Sequence, residues 1–435
     1  MGLNYFKKSK NFLQEKTYQM IVRMAYKQGK AALKHKTDTL KMGFITEEFF
    51  HMDLRGFGGY GKTVKNISDY YVKNNADYQF KVVMAEGLPK TSVYTAIKQY
   101  HDTDVLLRPP KSKYSFGDTR EYVKTIRAMD LKLFITIDCY RSYQYPLFLA
   151  PHIPLLIWIH DPRDKEEWAK IATVDMVKKQ REMDDLTPLA EEKARAIKDI
   201  LQLGEKFSRK IIFASNGEFL TQRAKSTYAM PELDPYPLYN PMVLPEDRIE
   251  ALSQKPSLLF MGRIDPVKRP WVVFELAKKF PQVDFYIAGA THRPDMMQSL
   301  IDGARHQDNI LFLGLVGGDK KHQVLKQCWG LINTSIHEGL PVSFQEAFAY
   351  AKPIISCHDP DGLVSRFGYF TGEVLGEGTD EESINKFSEQ IKLFVSDSKQ
   401  RREKGEAAQA HVAEVYSFEN FNKCFKNILI KEGLI

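Results

Sequence analysis

The sequence predicts an α/β protein built from two doubly wound domains. Its 435 residues exceed what one domain of ordinary size needs. From Met42 onward, short apolar runs alternate with longer amphipathic stretches, as in alternating strands and helices. Runs such as residues 155–159 are apolar on both faces, which is typical of parallel strands covered by helices on both sides.

Eleven apolar runs are predicted to be strands. They are residues 42–46, 80–85, 105–107, 131–137, 154–159, 210–214, 257–261, 285–288, 310–313, 330–333 and 353–356. The long charged stretch 165–207 is predicted to be a helical excursion, which shapes part of a binding site or decorates the surface. Prolines punctuate residues 241–256, so we place the domains at 42–243 and 244–415, with a last helix at 416–435.

Positive charge is concentrated at the beginning of the chain. Residues 1–42 carry ten Lys or Arg and two acids, whereas the whole chain carries +7, so the body is near neutral. Nucleic acid is therefore not an expected partner. Residues 1–41 are predicted to be a basic amphipathic helical extension, and two interpretations stay open: it lies on an anionic membrane, or it packs on the first domain.

No apolar run is long enough for a membrane-spanning helix, and the first residues lack the apolar core of a signal peptide. We therefore expect a cytoplasmic protein, peripheral at the inner membrane face if the extension binds lipid. The four cysteines form no Cys-x-x-Cys pair and are expected to be reduced thiols in or near a core. No cluster of side chains has metal-ligand spacing, so no metal is predicted.

The second half carries the strongest set of candidate functional residues. Strand 257–261 ends in Gly262 and Arg263, and Lys268 follows five residues later. Ligands of open α/β sheets bind at the carboxyl ends of strands, so both cations lie where ligands bind. A fixed Arg and Lys there would stabilise the charge that develops on a leaving diphosphate, although either cation alone is ordinarily a solvated surface residue.

A second segment follows strand 330–333 and reads His-Glu-Gly-Leu-Pro-Val-Ser-Phe-Gln-Glu from residue 337 to residue 346. Pro341 is well placed to open a helix, so the amides around Gly339, Leu340 and Val342 would face a diphosphate at its N-terminus. Glu346, one turn inside, could accept both hydroxyls of a ribose. Glu338 would reach a sugar, but each Glu alone is ordinarily a capping or solvated carboxylate.

Together these residues resemble the family-four retaining glycosyltransferases, also called glycosyl transferases group 1, which have the GT-B fold. The resemblance rests on Gly262-Arg263 with Lys268, on Glu338-x7-Glu346, and on Ala347-x3-Ala351-Lys352-Pro353, with weaker support from residues 287–289, 310–314 and 416–418. It covers roughly residues 42–430 and is much stronger after residue 256. It implies two Rossmann-like domains facing a cleft, with the last helix crossing back to the first domain.

The resemblance also implies roles for individual residues. Arg263 and Lys268 would bind the donor diphosphate, Glu346 would bind the ribose and Glu338 would lie by the donor sugar. Two positions depart from the family, because Arg269 and Ala351 stand where the family usually has glycine. These departures indicate a distant subfamily and leave the identity of the donor open.

In the first half, residues 56–63 resemble the glycine-rich loop of the family, with Gly59 near the donor phosphates. The same residues match the P-loop pattern Gly-x4-Gly-Lys-Thr, but a P-loop follows its strand directly, and here about nine residues intervene. His160, which ends strand 154–159, resembles the family histidine beside the donor sugar, although a His at a strand end is ordinarily structural. Residues 215–216 and 240–241 resemble family positions near the hinge.

The predicted function is therefore a retaining hexosyltransferase of glycan biosynthesis. It would use a UDP- or GDP-linked sugar as substrate, with no cofactor, and a glycan or lipid-linked acceptor. Two alternatives are an epimerase of nucleotide sugars with a related fold and a sugar-binding relative without activity. The two Asp-x-Asp patterns, at 102–104 and 359–361, match metal-dependent transferases of another fold, but that pattern is short and common.

Overall fold

The computed structural model describes residues 39–49, 58–74, 78–87, 97–100, 102–108, 116–245 and 252–435. Within them two sheets organise the chain, each flanked by helices, so the predicted α/β class is confirmed. The predicted basic extension lies outside the described residues as far as residue 38, and so do residues 56 and 57 of the glycine-rich segment.

The first sheet has eight strands in the order β3-β4-β2-β1-β5-β6-β7-β8. They are β1 (Leu40–Thr46), β2 (Tyr78–Gly87), β3 (Ile97–Tyr100), β4 (Thr103–Arg108), β5 (Leu133–Ile137), β6 (Leu155–Ile159), β7 (Ile211–Ser215) and β8 (Tyr236–Pro237). Strand β1 pairs in parallel with both β2 and β5, whereas β3 is antiparallel to β4. Apart from β3 and β8, the order is that of a Rossmann sheet, with β1 and β5 at its centre.

Among the described residues, seven α-helices belong to this part of the sequence. They are α1 (Gly59–Asn74), α2 (Phe116–Ala128), α3 (Gln144–Leu149), α4 (Lys165–Ile171), α5 (Asp175–Arg181), α6 (Pro188–Lys206) and α7 (Glu218–Tyr228). The predicted helical excursion at 165–207 is confirmed and consists of α4, α5 and α6. The Asp164 carboxylate opens it by accepting from the Glu167 amide.

The second sheet has six strands in the order β11-β10-β9-β12-β13-β14, and every pair is parallel. They are β9 (Ser257–Met261), β10 (Asp284–Ala288), β11 (Ile310–Gly314), β12 (Gly330–Asn333), β13 (Ile354–Ser356) and β14 (Tyr369–Phe370). This is again the Rossmann order, and the chain leaves β9 toward one edge of the sheet and β12 toward the other.

Eight helices follow in this part of the described chain. They are α8 (Pro270–Lys279), α9 (Pro294–Ala304), α10 (Gly318–Gln327), α11 (Val342–Ala349), α12 (Leu363–Phe367), α13 (Glu381–Ser396), α14 (Ser398–Val415) and α15 (Phe418–Lys431). The predicted last helix is α15, and the Ser417 hydroxyl caps it by accepting from the Asn420 amide.

By their contacts, the described residues form two compact units. The first unit contains residues up to Trp158 together with Arg195–Ala214, and the second contains Ile159–Ala194 and Ser215–Gly433. The core of the second unit therefore includes Trp168 and Val174 beside Val272 and Phe285. These contact units do not follow the segments 42–243 and 244–415, which remain a prediction about domains.

Candidate functional site

The centre of the second sheet is the place where its topology reverses. Strands β9 and β12 are neighbours there, and a crevice forms outside their carboxyl ends in sheets of this order. Strand β9 ends directly before Gly262 and Arg263, and β12 ends directly before the loop that leads to Glu338. The sheet order thus brings the two predicted segments to one edge.

A glycine lets the ends of β9 and β10 approach closely. A Cβ atom at Gly289 would lie 1.8 Å from the Gly262 carbonyl oxygen, so no side chain fits at this position. The Gly262 amide donates to the Ala288 carbonyl at 3.0 Å. The crevice edge is therefore bare backbone next to Arg263.

Arg263 and Lys268 are linked through one carboxylate. The Arg263 guanidinium is half exposed and lies 3.3 Å from the Asp265 carboxylate. Asp265 is buried and accepts from the Lys268 amide at 3.2 Å, which opens the 3-10 turn Pro266–Lys268. Asp265 thus fixes the backbone that carries both predicted phosphate ligands.

Lys268 and Glu338 form a direct ion pair. The Lys268 ammonium lies 2.6 Å from Glu338 Oε1, and Asn333 and Ser335 donate to the same oxygen. Burial disfavours the ionised carboxyl, but Lys268 and the two other donors outweigh it and lower the pKa of Glu338 to about 2. Glu338 is therefore an ionised, firmly oriented carboxylate.

Arg269, at a position where the family usually has glycine, is a fully buried side chain. Its backbone is left-handed, with φ of 45°. The guanidinium donates to the carbonyls of Thr334, Ser335 and Gly376 at 2.7–3.1 Å. Arg269 thereby ties the turn after β9 to the loop after β12, directly behind the Lys268–Glu338 pair.

His337 lies between two carboxylates. Its Nε2 is 2.6 Å from Asp161 Oδ1, and its Nδ1 pairs with Glu167. Burial opposes ionisation of Asp161, yet Arg163 and His337 hold its pKa well below the ordinary value. Against the same effect of burial, His337 and Arg223 lower the pKa of Glu167 to about 2. This network holds the segment after β6 against the segment after β12.

His160 and Gly339 are brought together by backbone contact. A Cβ atom at Gly339 would lie 2.4 Å from the His160 carbonyl oxygen, so only glycine permits this approach. His160 is buried. It directly precedes Asp161 in the sequence, and Gly339 directly follows Glu338. Both predicted sugar-side residues, His160 and Glu338, thus belong to one connected group.

Helix α11 carries the remaining predicted ligands of the second unit. It begins at Val342 after Pro341, so its first amides point back toward Gly339. The Leu340 side chain packs in the core, so its predicted contact with the diphosphate would be made by its backbone. Glu346 is buried inside the helix, and its Oε1 lies 2.7 Å from the Lys321 ammonium.

The positions predicted to lie near the hinge also meet this helix. Asn240 donates from its side chain to Gln345 Oε1 at 3.0 Å, and its amide donates to the Asn216 side chain at 2.7 Å. All three side chains are buried. This chain of amides anchors α11 next to Glu346.

Gly59 is the one predicted site residue that belongs to the first unit, where it is the first residue of α1. The Glu48 carboxylate accepts from the Gly61 amide in that turn at 3.3 Å. A carboxylate thus accepts from an amide at the N-terminus of α1, which is the kind of donor that a phosphate uses in a P-loop. In the same unit, the Tyr60 hydroxyl donates to the buried Asp138.

Both Asp-x-Asp patterns are engaged in local structure. Asp104 pairs with Lys81 at 2.6 Å, and Asp361 accepts from the amides of Glu218 and Phe219. Among the described residues, no group of His, Cys, Asp and Glu side chains has the arrangement of a metal site. In the same part of the chain, no helix combines the length and apolarity needed to cross a bilayer.

Comparison with known families finds one match. Residues 246–411 match the model of the family described as glycosyl transferases group 1. This segment runs from just before β9 into α14 and contains Arg263, Lys268, Glu338 and Glu346. No curated protein sequence matches the chain significantly.

Solved structures resemble the chain over almost its whole length. Sucrose-phosphate synthase from Thermosynechococcus elongatus has a TM-score of 0.63 at 14% identity, covering 91% of this chain and 99% of that one. Anabaena Alr3699/HepE in complex with UDP and glucose gives 0.63 at 15%, with 90% and 100% covered. WaaG, a glycosyltransferase involved in lipopolysaccharide biosynthesis, gives 0.57 at 14%, with 89% and 99% covered. The chain therefore has the GT-B fold that we predicted.

Several residues around the site were not predicted from the sequence. Lys321 follows strand β11, so a search for cations after every strand end would have found it. Asp161 and Glu167 are separated from His337 by 176 and 170 residues, and nothing local in the sequence links them.

Proposed function

We propose that the protein is a glycosyltransferase that moves a sugar from a nucleotide-diphosphate sugar to an acceptor hydroxyl. The observation that carries the proposal is the Lys268–Glu338 pair beside Arg263 at the topological switch point of a Rossmann sheet. The family match of residues 246–411 supports it, because that segment contains all three residues.

The two cations suit the departure of a nucleoside diphosphate. As the glycosidic bond breaks, negative charge develops on the leaving phosphate oxygens, and fixed cations stabilise it more in the transition state than in the ground state. The ammonium of Lys268 has three donors, so the bond to Glu338 leaves two for phosphate. The half-exposed guanidinium of Arg263 can turn toward the same oxygens.

Each of the other site residues is assigned to one part of the nucleotide-sugar donor. We assign Glu346 to the ribose, and the backbone from Gly339 to Val342 to the diphosphate. We assign Glu338 Oε2 and His160 to the sugar, and Gly59 to the phosphates. We propose retention of configuration with a hexosyl donor linked to UDP or GDP, the donor phosphate helping to remove the acceptor proton.

The acceptor is proposed to be a glycan or a lipid-linked glycan. With a lipid-linked acceptor, the protein would act in the cytoplasm at the inner membrane face, where the basic segment 1–42 would meet anionic lipid. The neighbour WaaG, a glycosyltransferase involved in lipopolysaccharide biosynthesis, is consistent with this class of acceptor.

A panel of UDP-, GDP- and ADP-sugars tests the proposal. We expect one donor to raise the melting temperature and to be hydrolysed slowly without acceptor, and Lys268→Ala to abolish the hydrolysis. Conversion of the free donor to its epimer would identify an epimerase, and binding without turnover would identify an inactive relative. Failure of every donor to bind would contradict the proposal.

ATP provides a control for the P-loop alternative. We expect no ATP hydrolysis, and Lys62→Ala should reduce nucleotide affinity less than Lys268→Ala does. A magnesium-dependent ATPase that Lys62→Ala abolishes would favour the P-loop interpretation.

A further inference from the structure

Lys321 and Glu346 form a second ion pair at the edge of the candidate site. The ammonium lies 2.7 Å from Glu346 Oε1, and their side chains are 19% and 7% exposed. The pair joins α10, which follows β11, to α11, which follows the loop of Glu338. Neither the family resemblance nor the sequence pattern gives Lys321 a role.

The position of Lys321 is fixed by its neighbours on the same helices. One residue further along α10, His322 Nδ1 pairs with the Tyr350 hydroxyl. Tyr350 lies four residues after Glu346, hence on the same face of that segment. The Lys352 ammonium also donates to the Lys326 carbonyl at 2.9 Å. Three contacts therefore hold α10 against α11 and the residues that directly follow it.

We infer that Lys321 is a positioning residue for recognition of the ribose of the donor nucleotide, acting through Glu346. This inference rests on the proposed function. An ionised carboxylate offers about four lone-pair positions, of which Lys321 occupies one on Oε1. A carboxylate can accept two hydroxyls beside an ammonium, and the fixed ammonium sets the orientation of the carboxylate.

The ammonium also balances the charge of Glu346. A buried carboxylate without a cation tends to take up a proton, which would replace one acceptor by a donor. An adjacent ammonium such as that of Lys321 favours the ionised form of a carboxyl, which accepts on both oxygens. Removal of Lys321 should weaken recognition of the ribose hydroxyls more than contacts to the phosphates.

The experiment compares UDP and GDP with 2'-deoxy-UDP and 2'-deoxy-GDP by titration calorimetry. The parent should prefer the ribonucleotide by about 10-fold or more, the size of one hydrogen bond to a charged group. Lys321→Met should reduce that preference to about 2-fold. Lys320→Met is the matched control, because Lys320 is an exposed neighbour on α10 that donates to the Leu313 carbonyl; it should keep the parent preference.

Lys321→Met leaves the Glu346 carboxylate without its paired cation. A second pair of variants removes that carboxylate as well. Glu346→Gln and the double variant Lys321→Met with Glu346→Gln should bind the ribonucleotide with equal affinity, within about 2-fold. A further loss in the double variant would show that Lys321 contacts the nucleotide independently, which overturns the inference. A parent preference kept by a folded Lys321→Met also overturns it.

The parent alone tests the proposed function separately. If it binds neither UDP nor GDP, the proposed function and the inference both fail. If it binds one of them without preference over the 2'-deoxy form, Glu346 is not the ribose ligand, and the inference fails while the donor assignment survives.

Discussion

Arg269 and Ala351 share a left-handed backbone, with φ of 45° and 53°. For residues other than glycine, this conformation costs about 1–2 kcal/mol. Arg269 offsets the cost through its side chain, which donates to three backbone carbonyls. Ala351 has only a methyl group and lies where α11 ends, with the Lys352 amide donating to the Ala347 carbonyl.

The same substitution should therefore have opposite effects at the two positions. Ala351→Gly should raise the free energy of unfolding by up to about 1 kcal/mol, since relief of strain outweighs the larger freedom of glycine in the unfolded chain. Arg269→Gly should lower it by more than about 3 kcal/mol, because three carbonyls lose a charged donor. Urea unfolding measures both, and a stabilising Arg269→Gly would contradict the role given to its side chain.

Substitutions of Lys268 and Arg263 should differ in their effect on the stability of the protein, although both cations are proposed to bind the same diphosphate. Each Ala substitution should lower turnover by about 100-fold or more. Lys268→Ala should also destabilise the protein by about 3 kcal/mol, because Glu338 is 8% exposed and would lose its cation. Arg263→Ala should change stability by less than about 0.5 kcal/mol, since this guanidinium is half exposed.

A double variant separates the two effects. Lys268→Ala with Glu338→Gln should regain stability without regaining turnover, which steady-state kinetics and urea unfolding measure together. Near-parental turnover in both single variants would rule out the donor-site assignment.

Among the elements, β13 is followed two residues after its end by a histidine, His358, that is neutral in the folded protein at pH 7. His358 follows Ser356 and lies 3.0 Å, through Nε2, from the Ser335 carbonyl. Burial lowers the pKa of His358 to about 4, and the opposite effect of the Glu338 carboxylate is too small to offset it. A charged imidazole would be destabilising at this position because it would be buried away from water.

This depressed pKa predicts acid sensitivity in a particular range. The unfolded histidine binds a proton near pH 6.5 and the folded one near pH 4, so stability is fully present above 6.5 and is lost as the pH falls toward 4. We expect a loss of roughly 2 kcal/mol between pH 7 and pH 5. Glu167 and Glu338, with pKa values of about 2, lose their contributions only below about pH 4.5.

Urea unfolding at pH 7, 6 and 5 measures this dependence. His358→Gln should flatten it, because the amide does not titrate and can still donate to the Ser335 carbonyl. His306→Gln, at an exposed position, should leave it unchanged. Equal slopes for His358→Gln and the parent would assign the acid sensitivity to other groups.

The elements show what the sequence could and could not reveal. All eleven predicted strands are present, because each is an apolar run whose pattern does not depend on distant residues. Strand β3 was missed because its centre is Lys98 and Gln99, both exposed, and because it pairs at an edge. Strands β8 and β14 have two residues each, too few to form a pattern.

The residues of the candidate site likewise form two groups, one that local sequence reveals and one that it does not. Arg263, Lys268, Glu338 and Glu346 lie in two short segments beside strand ends, so local sequence was enough to select them. The partners that set their charge or position come from elsewhere in the chain. Lys321 reaches Glu346 across 25 residues, and its pairing depends on the packing of α10 against α11.

For the full chain, the positive charge of segment 1–42 predicts binding to an anionic membrane surface. Each cation near an anionic surface contributes about 1 kcal/mol, so half of the ten would hold the protein there at low salt. We expect the full chain to sediment with anionic vesicles at low salt and to be released at high salt. A chain beginning at Lys41 should stay in solution and still bind nucleotide; if both sediment alike, or the shorter chain fails to fold, the segment belongs to the first domain.

The interleaving of the two compact units has a consequence for synthesis on the ribosome. Helices α4 and α5 emerge before any strand of the second sheet, yet Trp168, Ile171 and Val174 are buried in the core that this sheet builds. Their apolar surfaces must wait until β9 and later elements are translated. During that delay they are the segment of the nascent chain on which a chaperone that binds apolar surface would act. The order in which the elements are translated, rather than the stability of the folded protein, thus sets when the core of the second unit can form.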